Sequence, residues 1–417
     1  MSPFAPLPLP NGTLLPNRFA KAAMEENMAD ADHAPSDAVI RLYQTWAEGD
    51  TGLIITGNVM VDRRAMTGPG GVVLESSRHQ ARFEAWAGAA RSRGAQVWMQ
   101  INHPGRQMPA ALGQETLAPS AVALDMGRFS KQFTAPKAMS EADIAEVTRR
   151  FVETAVLAER FGFDGVQIHA AHGYLLSQFL SPLTNKREDR WGGTLENRAR
   201  LLIDVVTQAR ARVGARFSVS VKLNSADFQR GGFSQDDARQ VVALLNSLGI
   251  DLLELSGDSY EAPAMHGQAR IAEEISRTLA REAYFLEFAR DIAAVAAMPV
   301  MVTGGIRRLA VAEQVLESGI DMVGIATALA LAPDLPRDWK AGKATTPLLR
   351  PIAWNSKVLA SLAYMAMVKH QLRRLSRGKA SNPAVGPLRA FIEQQLDTVL
   401  RTRRYRNWMR RQPASTP

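Results

Sequence analysis

Short apolar, β-branched runs alternate along roughly the first 330 positions with longer stretches in which apolar residues recur every three or four. The first pattern predicts strands and the second amphipathic helices. Eight candidate strands follow in order: Arg18–Met24, Leu53–Val59, Gln96–Asn102, Val166–Ala170, Phe217–Leu223, Leu252–Ser256, Val300–Thr303 and Met322–Ala326. Between them, Ser140–Phe161 places Ile144, Val147, Phe151, Ala155 and Ala158 on one stripe, with Ser140 and Asp143 as a start signal. Thr194–Val213 is a second such helix, opening on Thr194-Leu195-Glu196-Asn197. No internal repeat is visible. Eight β/α units suit a closed parallel (β/α)₈ barrel, a TIM barrel, better than an open sheet.

The barrel pattern fills residues 1–340. Ala341–Arg350 reads as a linker, and 351–417 as a basic helical C-terminal extension. Helices are expected there over Trp354–Leu375 and Pro387–Arg401, followed by the dense basic run Arg401–Arg411 with Tyr405 and Trp408 interleaved.

Composition narrows the class. Of 417 residues, 46% are hydrophobic and 22% charged, as expected of a globular chain. The absence of cysteine excludes a disulfide framework, thiolate metal ligation and a cysteine nucleophile. No apolar run is long enough to span a bilayer, and the start lacks a secretory pattern, so the cytoplasm is the expected compartment. The net charge of +9 raises the question of nucleic acid. From Pro351 onward there are thirteen Lys/Arg against Glu393 and Asp397, a balance of +11, which leaves the rest of the chain at about −2. The basicity belongs to the tail, so no nucleic-acid partner is expected. The tail helices are expected to pack on the barrel or on a neighbouring subunit. Alternatively, they lie on an acidic surface such as anionic lipid.

Active sites of such barrels lie at the C-terminal ends of the strands. The fourth strand ends in Gln167-Ile168-His169-Ala170-Ala171-His172-Gly173-Tyr174, an unusual polar cluster. It is followed by Phe179-Leu180-Ser181-Pro182 and by Asn185-Lys186-Arg187-Glu188-Asp189-Arg190-Trp191-Gly192-Gly193-Thr194-Leu195-Glu196-Asn197-Arg198. This thirty-residue stretch, His169 to Arg198, resembles the long signature of the Old Yellow Enzyme (NADH:flavin oxidoreductase) family. Asn17-Arg18, Ala22-Ala23-Met24, Gln100-Ile101-Asn102-His103-Pro104-Gly105-Arg106, Ser225-Ala226-Asp227-Phe228 and Gly304-Gly305 agree with it, so the resemblance covers roughly residues 4–340.

The resemblance implies FMN as cofactor and NADH or NADPH as electron donor. Ala22, Ala23, Met24 and Glu25 would flank the isoalloxazine ring, with Asn58 and Gln100 at its pyrimidine edge. Lys222 would supply the fixed cation that stabilises the anionic reduced flavin. Gly304 and Gly305, with Ala326 and Thr327, would cradle the phosphate. The implied reaction passes hydride from the nicotinamide to flavin N5 and on to the β-carbon of an α,β-unsaturated carbonyl compound. His169 and His172 would bind the carbonyl oxygen, and Tyr174 would protonate the α-carbon.

Four positions depart from the family pattern. Glu25 stands where Thr or Cys is usual beside the flavin, and its carboxylate would either stay charged and lower the flavin potential or act as a protonated donor. Gly324-Ile325-Ala326-Thr327 lacks the arginine that usually pairs with the phosphate. Lys222 replaces an arginine, and Asn27 falls near a position where some relatives place a substrate-contacting tyrosine. Glu25 and Asn27 are accordingly expected to touch substrate. Glu25 also keeps open an amine demethylase or nitroreductase on the same barrel, and the missing arginine a flavin-binding protein without ene-reductase activity. Arg106 and Arg187 are expected to tie loops together, and Trp191 to anchor packing.

Overall fold

Two-residue alternation along the barrel strands explains both the closure and the position of the site. In Gly165–Ala170, Val166, Ile168 and Ala170 join the apolar layer beneath the helices, while Gln167 and His169 point the other way, into the barrel. In Ser218–Asn224, Val219, Val221 and Leu223 face out, and Ser220, Lys222 and Asn224 face in. Gln96–Asn102 and Leu252–Ser256 repeat the pattern, sending Gln100, Asn102, Glu254 and Ser256 inward.

The computed structural model describes residues 1–227, 229–256 and 288–412. Its eight barrel strands are Phe19–Lys21, Leu53–Ile55, Gln96–Asn102, Gly165–Ala170, Ser218–Asn224, Leu252–Ser256, Val300–Thr303 and Met322–Ile325. Each pairs in parallel with the next, and the eighth pairs with the first through Val323↔Phe19, so the sheet closes as a (β/α)₈ barrel. An antiparallel pair, Leu7–Pro8 with Leu14–Leu15, plugs the N-terminal end: Leu7, Leu9 and Leu15 pack on Leu53, Trp98, Leu252, Met301 and Met322. The lower half of the barrel interior is therefore apolar and the upper half polar.

The helix starts are those the sequence marks. Ser140 accepts a hydrogen bond from the Asp143 amide and Asp143 reciprocates, a full capping box ahead of Glu141–Arg160. Thr194 caps Leu195–Arg212 through the Asn197 amide. The first two strands are shorter than the sequence suggests. The second stops at Ile55 because Gly57 donates its amide to the Tyr43 hydroxyl at 2.8 Å instead of to a strand. Val59–Met60 then forms a separate short strand against the third.

The tail differs from expectation in one respect. Its first helix is Lys357–Leu375, but its second runs from Pro387 through the basic run to Arg411. Tyr405 and Trp408, three residues apart, bury against Met60, Met66, Met108 and Leu112 on the loops after the second and third strands. That burial continues the helix, while Arg403, Arg404, Arg406, Arg410 and Arg411 remain exposed on its far side. The first tail helix packs Ala360, Ala363, Ala366, Met367, Val368 and Leu372 into the same core layer as the barrel helices. Leu349 and Ile352, in and just after the linker, are also buried there. No described helix is long and apolar enough to cross a membrane.

Candidate active site

Strand register brings the fourth, fifth and sixth strand ends together. His169 lies level with Lys222, Lys222 with Glu254, and Asn224 with Ser256. Beyond the fourth strand the chain turns sharply at His172, whose φ of 59° is the left-handed conformation that few non-glycine residues adopt. The Asn224 side-chain oxygen accepts the His172 amide at 3.0 Å, and Gln107 donates to the His172 carbonyl at 2.8 Å. The imidazole Nε2 lies 2.8 Å from the Ser256 hydroxyl. Local strain held by several partners is a mark of a functional turn.

His169 is 2% exposed, and its Nδ1 accepts the Ala171 amide at 3.2 Å. In the neutral ring the hydrogen therefore sits on Nε2, the nitrogen left to act as a donor. Burial, reinforced by the charge of Lys222, holds this imidazole well below its ordinary pKa, so it is neutral at pH 7. The rings of His172 and Tyr174 stand edge-on to His169 at 5.0 and 4.9 Å. The three side chains expected from sequence to act together do meet.

A polar chain crosses the barrel below them. Gln100 donates to Gln167 at 2.7 Å, Gln167 donates to Glu254 at 2.8 Å, and Glu254 pairs with Lys222 at 2.9 Å. Lys222 thus has its carboxylate partner inside the barrel. Glu254 and Gln167 were not singled out from sequence, although an acid and an amide at inward positions of apolar strands are a readable signal. Lys21 was also missed. It is wholly buried, hydrogen-bonds the Ile55 carbonyl at 2.8 Å, pairs with Glu26 at 3.5 Å and lies over the Tyr43 and Trp46 rings. Burial pushes its amine down to about 8 against the pull of Glu26. Tyr43 donates to Glu26 at 2.5 Å, so the trio forms one unit under the first strand end.

Ala22, Ala23 and Met24 continue from that strand, and the Ala22 amide still bonds Ile325 at 3.0 Å. Glu25 receives a hydrogen bond from Thr67, and Lys369 of the tail reaches both Glu25, at 3.4 Å, and Asn27. Asn27, 9% exposed, has a left-handed φ of 54°. Across the mouth, Gly305 has a φ of 63° with open space where a side chain would project. A Cβ on Gly324 would collide with the Thr303 hydroxyl. Tyr364 of the tail lies beside Thr327, next to Ala326, and Thr327 and the charge of Arg307 pull its phenol down against the burial that raises it. Arg307 and Tyr364 therefore stand near the point where the usual arginine is missing. Phe228 falls outside the described residues.

Arg187 donates to the Pro119 and Met139 carbonyls at 3.1 and 2.6 Å and pairs with Asp189. Arg106 donates to the Ala123 carbonyl at 2.9 Å. Trp191 is 4% exposed and donates to Glu141 at 2.8 Å. All three hold loops.

A flavin fits the residues at the mouth. Asn58 Oδ1, both amide atoms of Asn102 and the Thr303 hydroxyl are buried without a hydrogen-bond partner among the described residues. Each lies at or just past the C-terminal end of a strand, where a polar ligand would satisfy it.

The comparisons agree with this geometry. The NADH:flavin oxidoreductase / NADH oxidase family matches residues 2–346. An NADH-dependent flavin oxidoreductase of Neonectria is 38% identical over 362 residues, 82% of this chain and 47% of the relative. One of Hypocrea jecorina is 36% identical over 350 residues, 80% of this chain and 87% of the relative. A 2-naphthoyl-CoA reductase structure superposes with a TM-score of 0.74 at 26% identity, covering 82% of this chain and 52% of that one. The chain thus spans about half the length of some relatives and most of others. On the family match, the identities and the barrel together, the chain belongs to the FMN-dependent NADH:flavin oxidoreductase / NADH oxidase family.

Proposed function

We propose that the protein uses NADH or NADPH to reduce the C=C bond of α,β-unsaturated carbonyl compounds. The observation that carries this reading is His169, a buried neutral imidazole with Nε2–H as its donor, beside His172 and Tyr174 at the barrel mouth. Bound FMN supplies the hydride chemistry between the nicotinamide and the β-carbon. Ala22, Ala23, Met24, Asn58, Gln100 and Lys222 would hold the ring. Gly304, Gly305, Ala326 and Thr327 would hold the phosphate, with Arg307 and Tyr364 near enough to assist. His169 and His172 donate to the substrate oxygen and stabilise the charge it gains as the double bond is reduced. A neutral imidazole suits this task, because its Nε2–H is a very weak acid that hydrogen-bonds the developing oxyanion without surrendering its proton to it. Tyr174 gives the proton to the α-carbon, a reluctant transfer for a phenol of ordinary pKa about 10 unless its surroundings assist.

The test is the visible spectrum of the flavin-loaded protein under nitrogen. NADH or NADPH should bleach it, and cyclohexenone should restore it. Bleaching without recovery on enone would overturn the reading and move the assignment to a nitro compound or an N-methylated amine as oxidant or substrate. The amine alternative rests on Glu25 as an ammonium-binding carboxylate. Lys369 already compensates that charge, which disfavours it.

A further inference from the structure

The helices beyond residue 346 lie outside the family match, yet they reach the mouth of the barrel. Lys369, near the end of the first tail helix, enters a space bounded by Glu25, Asn27 and Thr67. Its side chain is 14% exposed, and that of Glu25 23%. The loop that makes room for it is Thr67-Gly68-Pro69-Gly70-Gly71. A Cβ on Gly68 would press the Asn27 amide at 3.0 Å, and one on Gly70 would collide with the Asn27 carbonyl and approach Arg401 of the second tail helix at 2.9 Å. Arg401 in turn donates toward the Ala29 carbonyl at 3.4 Å. Both tail helices are thus fitted against the segment that leaves the first strand. Burial alone would raise the Glu25 carboxyl, but the charge of Lys369 and the Thr67 hydrogen bond outweigh it and hold the group below its ordinary value.

We infer that the C-terminal helix pair is a fixed wall of the flavin site, and that Lys369 is a positioning residue that cancels the Glu25 charge where reduced flavin must carry an anion. This rests on FMN lying over the mouth; it does not depend on which substrate reoxidises it. The physical reason is electrostatic. A lone carboxylate beside a group that becomes anionic disfavours its reduction, and in a partly desolvated site the penalty is much larger than in water. The ion pair presents a neutral dipole instead. A residue of the tail thereby sets the redox poise of a site built 344 positions earlier in the chain.

The experiment is a double-mutant cycle on the midpoint potential of the FMN-loaded protein, read by dye equilibration. Lys369→Met should lower the equilibrium constant for flavin reduction by tenfold or more, about 30 mV for a two-electron couple. Glu25→Gln, which strands the lysine, should raise it. The double variant E25Q/K369M should return close to the parent, and Lys369→Arg should hold the parent potential. Equal potentials in the parent and both single variants would overturn the inference, as would a double variant that keeps the shift of K369M. If K369M does not fold, E25Q and K369R carry the same test: E25Q should raise the potential and K369R should leave it at the parent value. Failure of cyclohexenone turnover leaves these potentials unchanged, so the two conclusions stand or fall separately.

Discussion

His169 shows how a single residue is tuned by what surrounds it. Its strand position points it inward, the Ala171 amide fixes its tautomer, and burial beside Lys222 keeps it uncharged. Replacing it by Ala should slow reoxidation by enone roughly 10²–10³-fold, the usual effect of losing one oxyanion donor, while reduction by NADH persists. Stopped-flow measurement of the two half-reactions separates these effects. Tyr174→Phe should slow the same oxidative half by roughly 10²-fold or more. His103 carries a pH consequence. Burial pushes it down to about 4, so the unfolded chain binds a proton that the folded chain refuses between about 6.5 and 4. Its contribution is complete above 6.5 and is lost as pH falls toward 4, a change of about 3 kcal/mol. Urea unfolding at pH 7 and pH 4.5 should show that loss, and His103→Asn should reduce it. Lys21 in Phe19-Ala20-Lys21 reads from sequence as the solvated edge of a short strand, yet it shares the face of Phe19 and is buried against Tyr43 and Trp46 of the helix outside. Only the barrel shows that Glu26 and Tyr43 await it.

At the scale of elements, local signals and tertiary demands part company at the ends. The capping box at Ser140 was legible because it is a local exchange of hydrogen bonds, and Ser140→Ala should cost about 1 kcal/mol by thermal unfolding. The strands were legible through alternation, although Lys21 and Ile55 end the first two earlier than propensity suggests. The last helix shows the opposite error. A dense arginine run reads as the end of regular structure, yet Tyr405 and Trp408 dock on the barrel loops and carry the helix to Arg411. Trp408, buried in the docking cluster, should on replacement by Ala lower stability by about 3–5 kcal/mol in thermal unfolding. Unchanged stability would mean that the last turns contribute nothing to the fold.

At the scale of the whole molecule, the tail packs on the barrel with one face and leaves another to solvent. Nine of the eleven exposed large hydrophobics among the described residues lie between Leu348 and Leu400, beside the exposed arginines of the last helix. Apolar surface with a basic border fits an anionic lipid surface better than a second, equally basic tail. The full chain should therefore sediment with vesicles containing phosphatidylserine at low salt, and I392E/L396E should abolish this. Sedimentation with neutral vesicles alone, or concentration-dependent dimer mass without lipid, would refute it. The amino-acid sequence by itself determined the barrel and the His169–His172–Tyr174 cluster, because these rest on periodicity and on a motif contiguous in the chain, and it carried the cofactor class only through the family resemblance of that motif. It could not show the Gln100–Gln167–Glu254–Lys222 chain, the Lys21–Glu26–Tyr43 unit or the meeting of Lys369 with Glu25. Those depend on which side chains a closed barrel turns toward one another and on where the tail comes to rest. Contacts between residues as much as 344 positions apart leave no periodic trace, so only the tertiary structure decided them.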